Sequence, residues 1–218
     1  MSVKFFGVDV ETTGLDHNSE FLLEVGVVAF DENFSVIGKP FQSLIIDAEK
    51  TPRAINMMGD IPWDMHMENG LVNEIGEILD SREDQLGSKD ILIEQGLRAV
   101  DVEKKFFQWV DQFDVDPGEI PLLGSSITLD RNFLTKYMPS MASFFHYRSL
   151  DATSLFLMAQ TLGTNKTNLL ERAEAKADVK YGDLFHDYPA HRVIHDILHS
   201  ASVCIESTKA IQFSDFVR

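Results

Sequence analysis

Strand-like segments are concentrated in the first 46 residues, and this clustering constrains the fold more than any other feature. Residues 3–10 and 21–30 are apolar and rich in β-branched side chains, which predicts two buried strands. Residues 35–46 predict a third strand, in which Gly38 and Pro40 indicate a bulge or an edge position. Because the links between these segments are short, we predict an antiparallel meander.

Beyond residue 60 the pattern becomes mainly helical. Apolar residues recur at helical spacing, and we predict helices at residues 68–79, 96–113, 129–137, 151–162 (capped by Asp151) and from Pro189 to about residue 211. Shorter apolar runs predict strands at residues 121–124 and 147–150. Residues 81–90 predict an exposed loop, and residues 163–188 are too charged to assign. Strands followed by helices around a mixed sheet predict one α/β or α+β domain over residues 1–218.

The charge balance limits the kind of partner. The formal net charge is −16, whereas proteins that hold long nucleic acids by their backbone carry a basic surface. The acidic excess favours a local contact with phosphate through a bridging cation, and a short substrate over a long one.

Targeting signals are not apparent. No run of 18 apolar residues occurs, so we predict no membrane span. The first residues enter a strand-like segment without the layout of a signal peptide. The single cysteine, Cys204, cannot form an internal disulfide, so a cytoplasmic location is predicted.

Two carboxylates end the first predicted strand. Asp9 and Glu11 are two residues apart, so on an extended chain both point to one side. Their repulsion makes burial costly unless a cation lies between them, and oxygen ligands suit Mg²⁺ or Mn²⁺. The backbone N–H groups of the Thr12–Gly14 turn could bind a negatively charged group. Taken alone, an acidic pair at a strand end is more simply interpreted as solvated.

A second cluster lies near the predicted start of the last helix. If His191 precedes or opens the helix and Asp196 lies within it, both can reach one cleft, where a histidine can deprotonate water and a carboxylate can hold a metal. A rival interpretation is a zinc stripe of His191, His195 and His199, which are four residues apart. Arg192 occupies the place where zinc proteases require a glutamate, which weakens that interpretation.

Asp130 lies at a predicted helix start, where a capping role is the simplest interpretation. Asp9-x-Glu11, then Asp130, then His191 with Asp196 five residues later, together resemble the DEDDh 3′→5′ exonucleases. The resemblance is strongest to the oligoribonuclease branch and is carried by residues 9–16, 65–66, 69–71, 130–134, 137–139 and 145–151.

The resemblance implies an RNase H-like fold, in which a mixed five-stranded sheet is flanked by helices. It also implies two ions, Mg²⁺ or Mn²⁺, held by the four carboxylates, and His191 as the general base. The implied activity is two-metal hydrolysis of short single-stranded RNA or DNA to nucleoside 5′-monophosphates by a homodimer.

The same resemblance implies a set of substrate-binding residues: Thr12, Gly14, Leu15, His66, Ser126, Tyr147, Arg148 and Thr153. Leu15 would wedge between bases, and Tyr147 would stack in or line the site of the partner subunit. Arg148 with Ser126 and Thr153 would bind the 5′ phosphate. One departure is Ile61, which stands where the branch has a tryptophan. Segments 81–98 and 163–188 look longer than in short members of the branch.

Two other functions are compatible with these patterns. One is an exonuclease that trims or proofreads longer single-stranded DNA or RNA, which would need a basic or aromatic track that the sequence does not show. The other is an inactive nuclease fold that serves as a binding module.

Overall fold

The computed structural model describes residues 2–47, 49–83 and 98–212. Within them lie five strands: β1 (Phe5–Thr12), β2 (Leu22–Phe30), β3 (Phe41–Leu44), β4 (Pro121–Gly124) and β5 (His146–Asp151). Ten helices surround them: α1 (Lys50–Asn56), α2 (Asp60–Glu68), α3 (Leu71–Glu83), α4 (Ala99–Val110), α5 (Thr128–Tyr137), α6 (Pro139–Phe144), α7 (Ala152–Thr161), α8 (Lys166–Tyr181), α9 (Asp183–His186) and α10 (Val193–Gln212).

The strands form one mixed sheet in the order β3-β2-β1-β4-β5. The first three strands are antiparallel, as predicted for the meander, whereas β4 and β5 run parallel to β1. The buried strand β1 lies at the centre, with separate apolar clusters on the two faces of the sheet. The prediction of a mixed five-stranded sheet flanked by helices is confirmed.

Helix α10 packs directly on β1 and β2, and glycines make this approach possible. A side-chain carbon at Gly26 would lie 2.6 Å from Val193 Cγ2, and one at Gly7 would overlap Ile197. Only glycine leaves room for a helix this close to the sheet. The first turn of α10 is therefore held against the end of β1 that carries Asp9 and Glu11.

The third strand is shorter than predicted. Pairing covers Phe41–Leu44 instead of residues 35–46, and Val36 adds a single bridge to Phe30. Gly38 has a φ of +71°, outside the strand region, and Pro40 has no N–H to donate. The interruption predicted from these two residues therefore ends the ladder.

Several helical boundaries also differ from prediction. Helix α3 continues to Glu83, so residues 81–83 are helical where a loop was predicted, and residues 84–90 lie outside the described residues. The unassigned segment 163–188 contains α8 and α9, while α1, α2 and α6 were not predicted.

The last helix begins at Val193 instead of near Pro189. Asp151 caps α7 as predicted, since its carboxylate accepts the Thr153 N–H at 2.9 Å.

Among the residues that the structure describes, no helix is long and apolar enough to cross a membrane.

Candidate active site and metal centre

Three of the predicted carboxylates converge at the end of β1. Asp9 and Glu11 lie on this strand, and Asp196 lies in the first turn of α10. One carboxylate oxygen of each residue lies within 4.8 Å of the others, and no other such group of three occurs in the described residues. The two-residue spacing on β1 thus places both side chains on the same side of the strand, as predicted, and α10 lies on that side.

Asp130 lies on a neighbouring helix beside this cluster, outside the group of three. It is buried in the first turn of α5, and its Oδ1 accepts the backbone N–H of Val10 at 3.0 Å. The N-cap position of α5 belongs to Ile127, which makes no side-chain capping bond. The simple capping interpretation of Asp130 is therefore wrong, because its carboxylate bonds to β1 between Asp9 and Glu11.

The electrostatics of the cluster are unfavourable without a counter-charge. Burial, and then the charges of Asp130, Glu11 and Asp196, raise the pKa of Asp9 well above its ordinary value. Burial and the charge of Asp196 likewise raise the pKa of Glu11. Burial raises the pKa of Asp130 to about 7, against the hydrogen bond from Val10. A divalent cation would relieve the repulsion between these carboxylates, and their oxygen atoms are ligands that hard cations prefer. The set of carboxylates therefore fits divalent metal binding.

His191 stands at the rim of this cluster, just before α10. Its φ is +60°, its backbone N–H donates to Asp196 Oδ1 at 3.1 Å, and its Nδ1 lies 3.8 Å from Asp196 Oδ2. The imidazole is otherwise largely exposed, so it is open to a substrate.

The zinc stripe does not form. His191 precedes the helix, so it does not share a helical face with His195 and His199. His195 instead stacks on Phe185 and places Nδ1 3.1 Å from Asp196 Oδ1, while His199 faces Glu174 at 3.6 Å. His195 therefore helps to orient the carboxylate of Asp196.

The loop after β1 presents the residues predicted to meet the substrate end. Thr12 Oγ1 donates to Gly14 O at 2.7 Å, which fixes the turn, and Leu15 is 79% exposed at its tip. His66 is fully buried beneath this loop, and its Nε2 donates to Thr12 O at 2.9 Å. Burial lowers the pKa of His66, and its Nδ1 faces Glu11 at 3.9 Å without a hydrogen-bond partner.

Two more predicted residues meet at the end of β4. The backbone N–H of Ser126, whose φ is +53°, donates to Asp151 Oδ1 at 3.1 Å and to Thr153 Oγ1 at 3.0 Å. The hydroxyls of Ser126 and Thr153 lie 3.2 Å apart on the exposed surface. They form a small polar patch of O–H groups that could donate to an anion.

Tyr147 and Arg148 lie elsewhere on the sheet. His146 pairs with Pro121 and Ser149 with Leu122, so these two residues form a bulge on the edge strand β5. Both are exposed, and the Arg148 guanidinium lies 5.2 Å from the Tyr147 ring. Tyr147 and Arg148 lie near the start of β5, whereas the carboxylates lie further along β1 in the strand direction. The strands β1 and β5 are also two strand spacings apart, which is about 10 Å across the sheet.

A buried ionic network beside the carboxylates was not predicted. Glu24 on β2 pairs across from Glu11, is fully buried, and accepts two hydrogen bonds from Arg192 at 2.9 and 2.7 Å. Gln42 donates to the same carboxylate at 2.6 Å. The isolated charge of Glu24 within an apolar strand was the available signal, since such a charge requires a partner.

The order of the strands in the sheet and the helix packed on β1 define the fold as RNase H-like. An Exonuclease I from Methylocaldum szegediense has a similar structure, with a TM-score of 0.52 at 15% identity over 96% of this chain. This chain covers 42% of that longer one, so the likeness concerns the fold.

Sequence comparison identifies the family. A curated oligoribonuclease of Haemophilus influenzae is 32% identical over 149 residues, which cover 68% of this chain and 70% of the relative. Oligoribonucleases of Actinobacillus pleuropneumoniae and Streptomyces coelicolor are 29% and 26% identical over 70% and 73% of this chain, and over 72% and 70% of their own lengths. The chain therefore belongs to the oligoribonuclease family, and the resemblance inferred from its motifs is confirmed. No family model matches the chain.

Proposed function

We propose that the protein is a metal-dependent 3′→5′ exoribonuclease that degrades short oligonucleotides to nucleoside 5′-monophosphates. The observation that carries this proposal is the convergence of Asp9, Glu11 and Asp196 within 4.8 Å, with Asp130 bonded to the same strand. The relatives named as oligoribonucleases support the substrate class.

The four carboxylates would hold two divalent cations, Mg²⁺ or Mn²⁺. Asp9 would contribute to both positions, with Glu11 and Asp196 at one and Asp130 at the other. Bound cations of this kind neutralise the phosphate and lower the pKa of the attacking water. The four negative charges of the carboxylates would be cancelled by the four positive charges of two divalent cations. This local neutralisation would allow a chain with a net charge of −16 to approach a phosphodiester.

His191 would act as the general base. Its Nδ1 lies on the side of Asp196, which leaves Nε2 to accept the proton of the attacking water. The water oxygen forms a bond to phosphorus, the bond from phosphorus to the 3′ oxygen of the preceding nucleotide breaks, and that oxygen is protonated. The products are a nucleoside 5′-monophosphate and a chain with a new 3′ hydroxyl.

The loop after β1 would receive the terminal nucleotides. Backbone groups of Thr12 and Gly14 would meet the 3′ hydroxyl, and the exposed Leu15 would insert between two bases. His66 would support this loop from below, because its ring is bonded to Thr12 O. Ile61 is exposed on α2 and offers an aliphatic wall where relatives of this branch carry an aromatic one.

The other end of the substrate would be bound by two subunits. The hydroxyls of Ser126 and Thr153 would receive the 5′ phosphate, and Tyr147 and Arg148 of a second subunit would complete the site. The bulge on β5 supports this homodimer, because it exposes these two side chains about 10 Å or more from the carboxylates of their own chain. We also propose a cytoplasmic location, for which the single cysteine gives the support.

A digestion series tests the substrate assignment. RNA and DNA oligonucleotides of two to twenty nucleotides, labelled at the 5′ end, are incubated with Mn²⁺ and the products are resolved by length. We expect the highest kcat/KM for RNA of two to five nucleotides, with nucleoside 5′-monophosphates released from the 3′ end. A rate that rises with length would favour an exonuclease on long single strands. Absence of hydrolysis at every length would favour an inactive binding module.

A further inference from the structure

We propose that Asn69 and Arg192 are positioning residues that hold His191 in its working orientation. The inference rests on the proposed role of His191 as the general base. His191 adopts a φ of +60° in the link between α9 and α10. This left-handed region is unfavourable for a residue other than glycine, so the surrounding contacts must hold His191 there.

Asn69 holds the carbonyl side of His191. It is buried at the end of α2, and its Nδ2 donates a close hydrogen bond to His191 O. Its Oδ1 accepts the backbone N–H of Leu71 at 3.0 Å. Because Oδ1 must accept and Nδ2 must donate, the amide has one satisfied orientation. The link before α10 is thereby tied to the junction of α2 and α3.

Arg192 directly follows His191, and its side chain anchors this part of the backbone. Its Nε and one terminal nitrogen bind the two oxygens of Glu24 on β2, and that same terminal nitrogen reaches Glu74 Oε2 on α3 at 2.8 Å. This bidentate pairing has a fixed plane, and Glu24 is fully buried. The backbone that follows His191 is therefore fixed to the sheet and to α3 at once.

These anchors matter because the imidazole itself is weakly held. Its side chain is largely exposed, and Nδ1 of its ring lies 3.8 Å from Asp196 Oδ2. Its direction therefore depends on its backbone, which Asn69, Arg192 and Asp196 fix from three sides. Small errors in the placement of a catalytic group lower kcat, whereas metal binding and substrate binding depend on other residues.

A double-mutant cycle tests this role. Asn69→Ala is made in the wild-type and in the His191→Ala background, and kcat, KM and the half-saturating Mn²⁺ concentration are measured on a short RNA. We expect Asn69→Ala to lower kcat about tenfold in the wild-type background and by less than about twofold when His191 is absent. KM and the Mn²⁺ requirement should be unchanged.

Two further variants keep the result interpretable. Arg192→Lys keeps the charge beside Glu24 but loses the bidentate geometry, and it should show the same pattern. Asn73→Ala, an exposed asparagine on α3, is the matched control and should leave kcat unchanged. Equal losses of kcat in both backgrounds, or a changed Mn²⁺ requirement with unchanged kcat, would overturn the positioning role. Wild-type kcat in His191→Ala would instead overturn the proposed base, and the positioning role with it.

Discussion

The carboxylate end of β1 and the edge strand β5 belong to one sheet but are built in opposite ways. Glu11 and Asp130 are buried, and α10 packs closely on β1 and β2 at Gly7 and Gly26. On β5, Tyr147 is 74% exposed on a bulge that faces solvent. The groups proposed for bond cleavage therefore lie within one chain, whereas Tyr147 and Arg148 are proposed to act in the site of a second chain.

The largest expected effect is at the carboxylates. Asp9→Asn keeps the shape of the side chain but removes a charge, and metal-assisted charge stabilisation is worth several kcal/mol, so kcat should fall by about 10³-fold or more. Metal-free Asp9→Asn should be at least as stable as wild-type, because carboxylate repulsion is relieved. Steady-state kinetics and thermal unfolding check both points. Asp64→Asn, an exposed aspartate on α2, is the control, and more than a tenth of wild-type kcat in Asp9→Asn would contradict the assignment.

The next largest effect is at His191. His191→Gln should lower kcat by about 10²- to 10⁴-fold, the usual contribution of a general base, while Mn²⁺ binding is retained. His186→Gln is a matched control, because both histidine side chains are 62% exposed and each lies near an aspartate. If His191→Gln abolished Mn²⁺ binding, His191 would be a metal ligand and not the base.

A smaller effect is expected on β5, and it tests whether that surface acts across subunits. The double variant Tyr147→Ala/Arg148→Ala should lose about 10- to 100-fold in kcat/KM on a dinucleotide, since one base–aromatic stack is worth about 1–3 kcal/mol. Metal dependence should be unchanged.

Mixing the β5 double variant with Asp9→Asn protein gives the sharper result. In a heterodimer of Asp9→Asn with the β5 double variant, one site has intact carboxylates together with an intact Tyr147 and Arg148 from its partner. Random exchange should restore roughly a quarter of wild-type activity, because half of the dimers carry one complete site of two. No recovery after exchange, verified by a size or tag assay, would contradict completion across subunits.

The smallest effect concerns stability and pH. The folded pKa of Asp130 is about 7 against an ordinary 3.8, so the folded chain binds more protons between these values than the unfolded chain does. Protonated Asp130 therefore contributes to the free energy of unfolding below pH 4, and this contribution is lost as the pH rises towards 7. The metal-free protein should therefore lose several degrees of Tm over this range, and Asp130→Asn should flatten the slope. A Tm difference between wild-type and Asp130→Asn that does not vary with pH would contradict the raised pKa.

Two of the strands that position the carboxylates could be predicted, because each has a local signal. The runs 3–10 and 121–124 are short and apolar between turn residues, and β1 and β4 form close to those positions. The quartet with His191 was inferred from the joint order of motifs, since Asp9 with Glu11 alone could have been a solvated pair. Their convergence depends on α10 crossing β1, which the sequence indicates only through Gly7 and Gly26.

The supporting network could not be predicted in the same way. Arg192 and Glu24 are 168 residues apart, and their pairing depends on where α10 lies over β2. The start of α10 was placed at Pro189, a favoured helix-start residue, but His191 takes a positive φ that a helix cannot contain, so the helix begins at Val193. Helix α8 was not predicted because most of its residues are polar or charged. Its buried face is narrow and consists of Leu169, Ala173 and Ala177.

Direct measurement of metal binding shows whether the carboxylates at the end of β1 form a divalent-metal site. Mn²⁺ is titrated into metal-free wild-type and Asp9→Asn protein, with the bound ions counted by calorimetry and Tm followed in parallel. We expect two Mn²⁺ per wild-type chain and a Tm that rises with Mn²⁺, both lost or strongly weakened in Asp9→Asn. Equal stoichiometry and an equal rise in Tm in the two proteins would rule out a metal site that depends on Asp9.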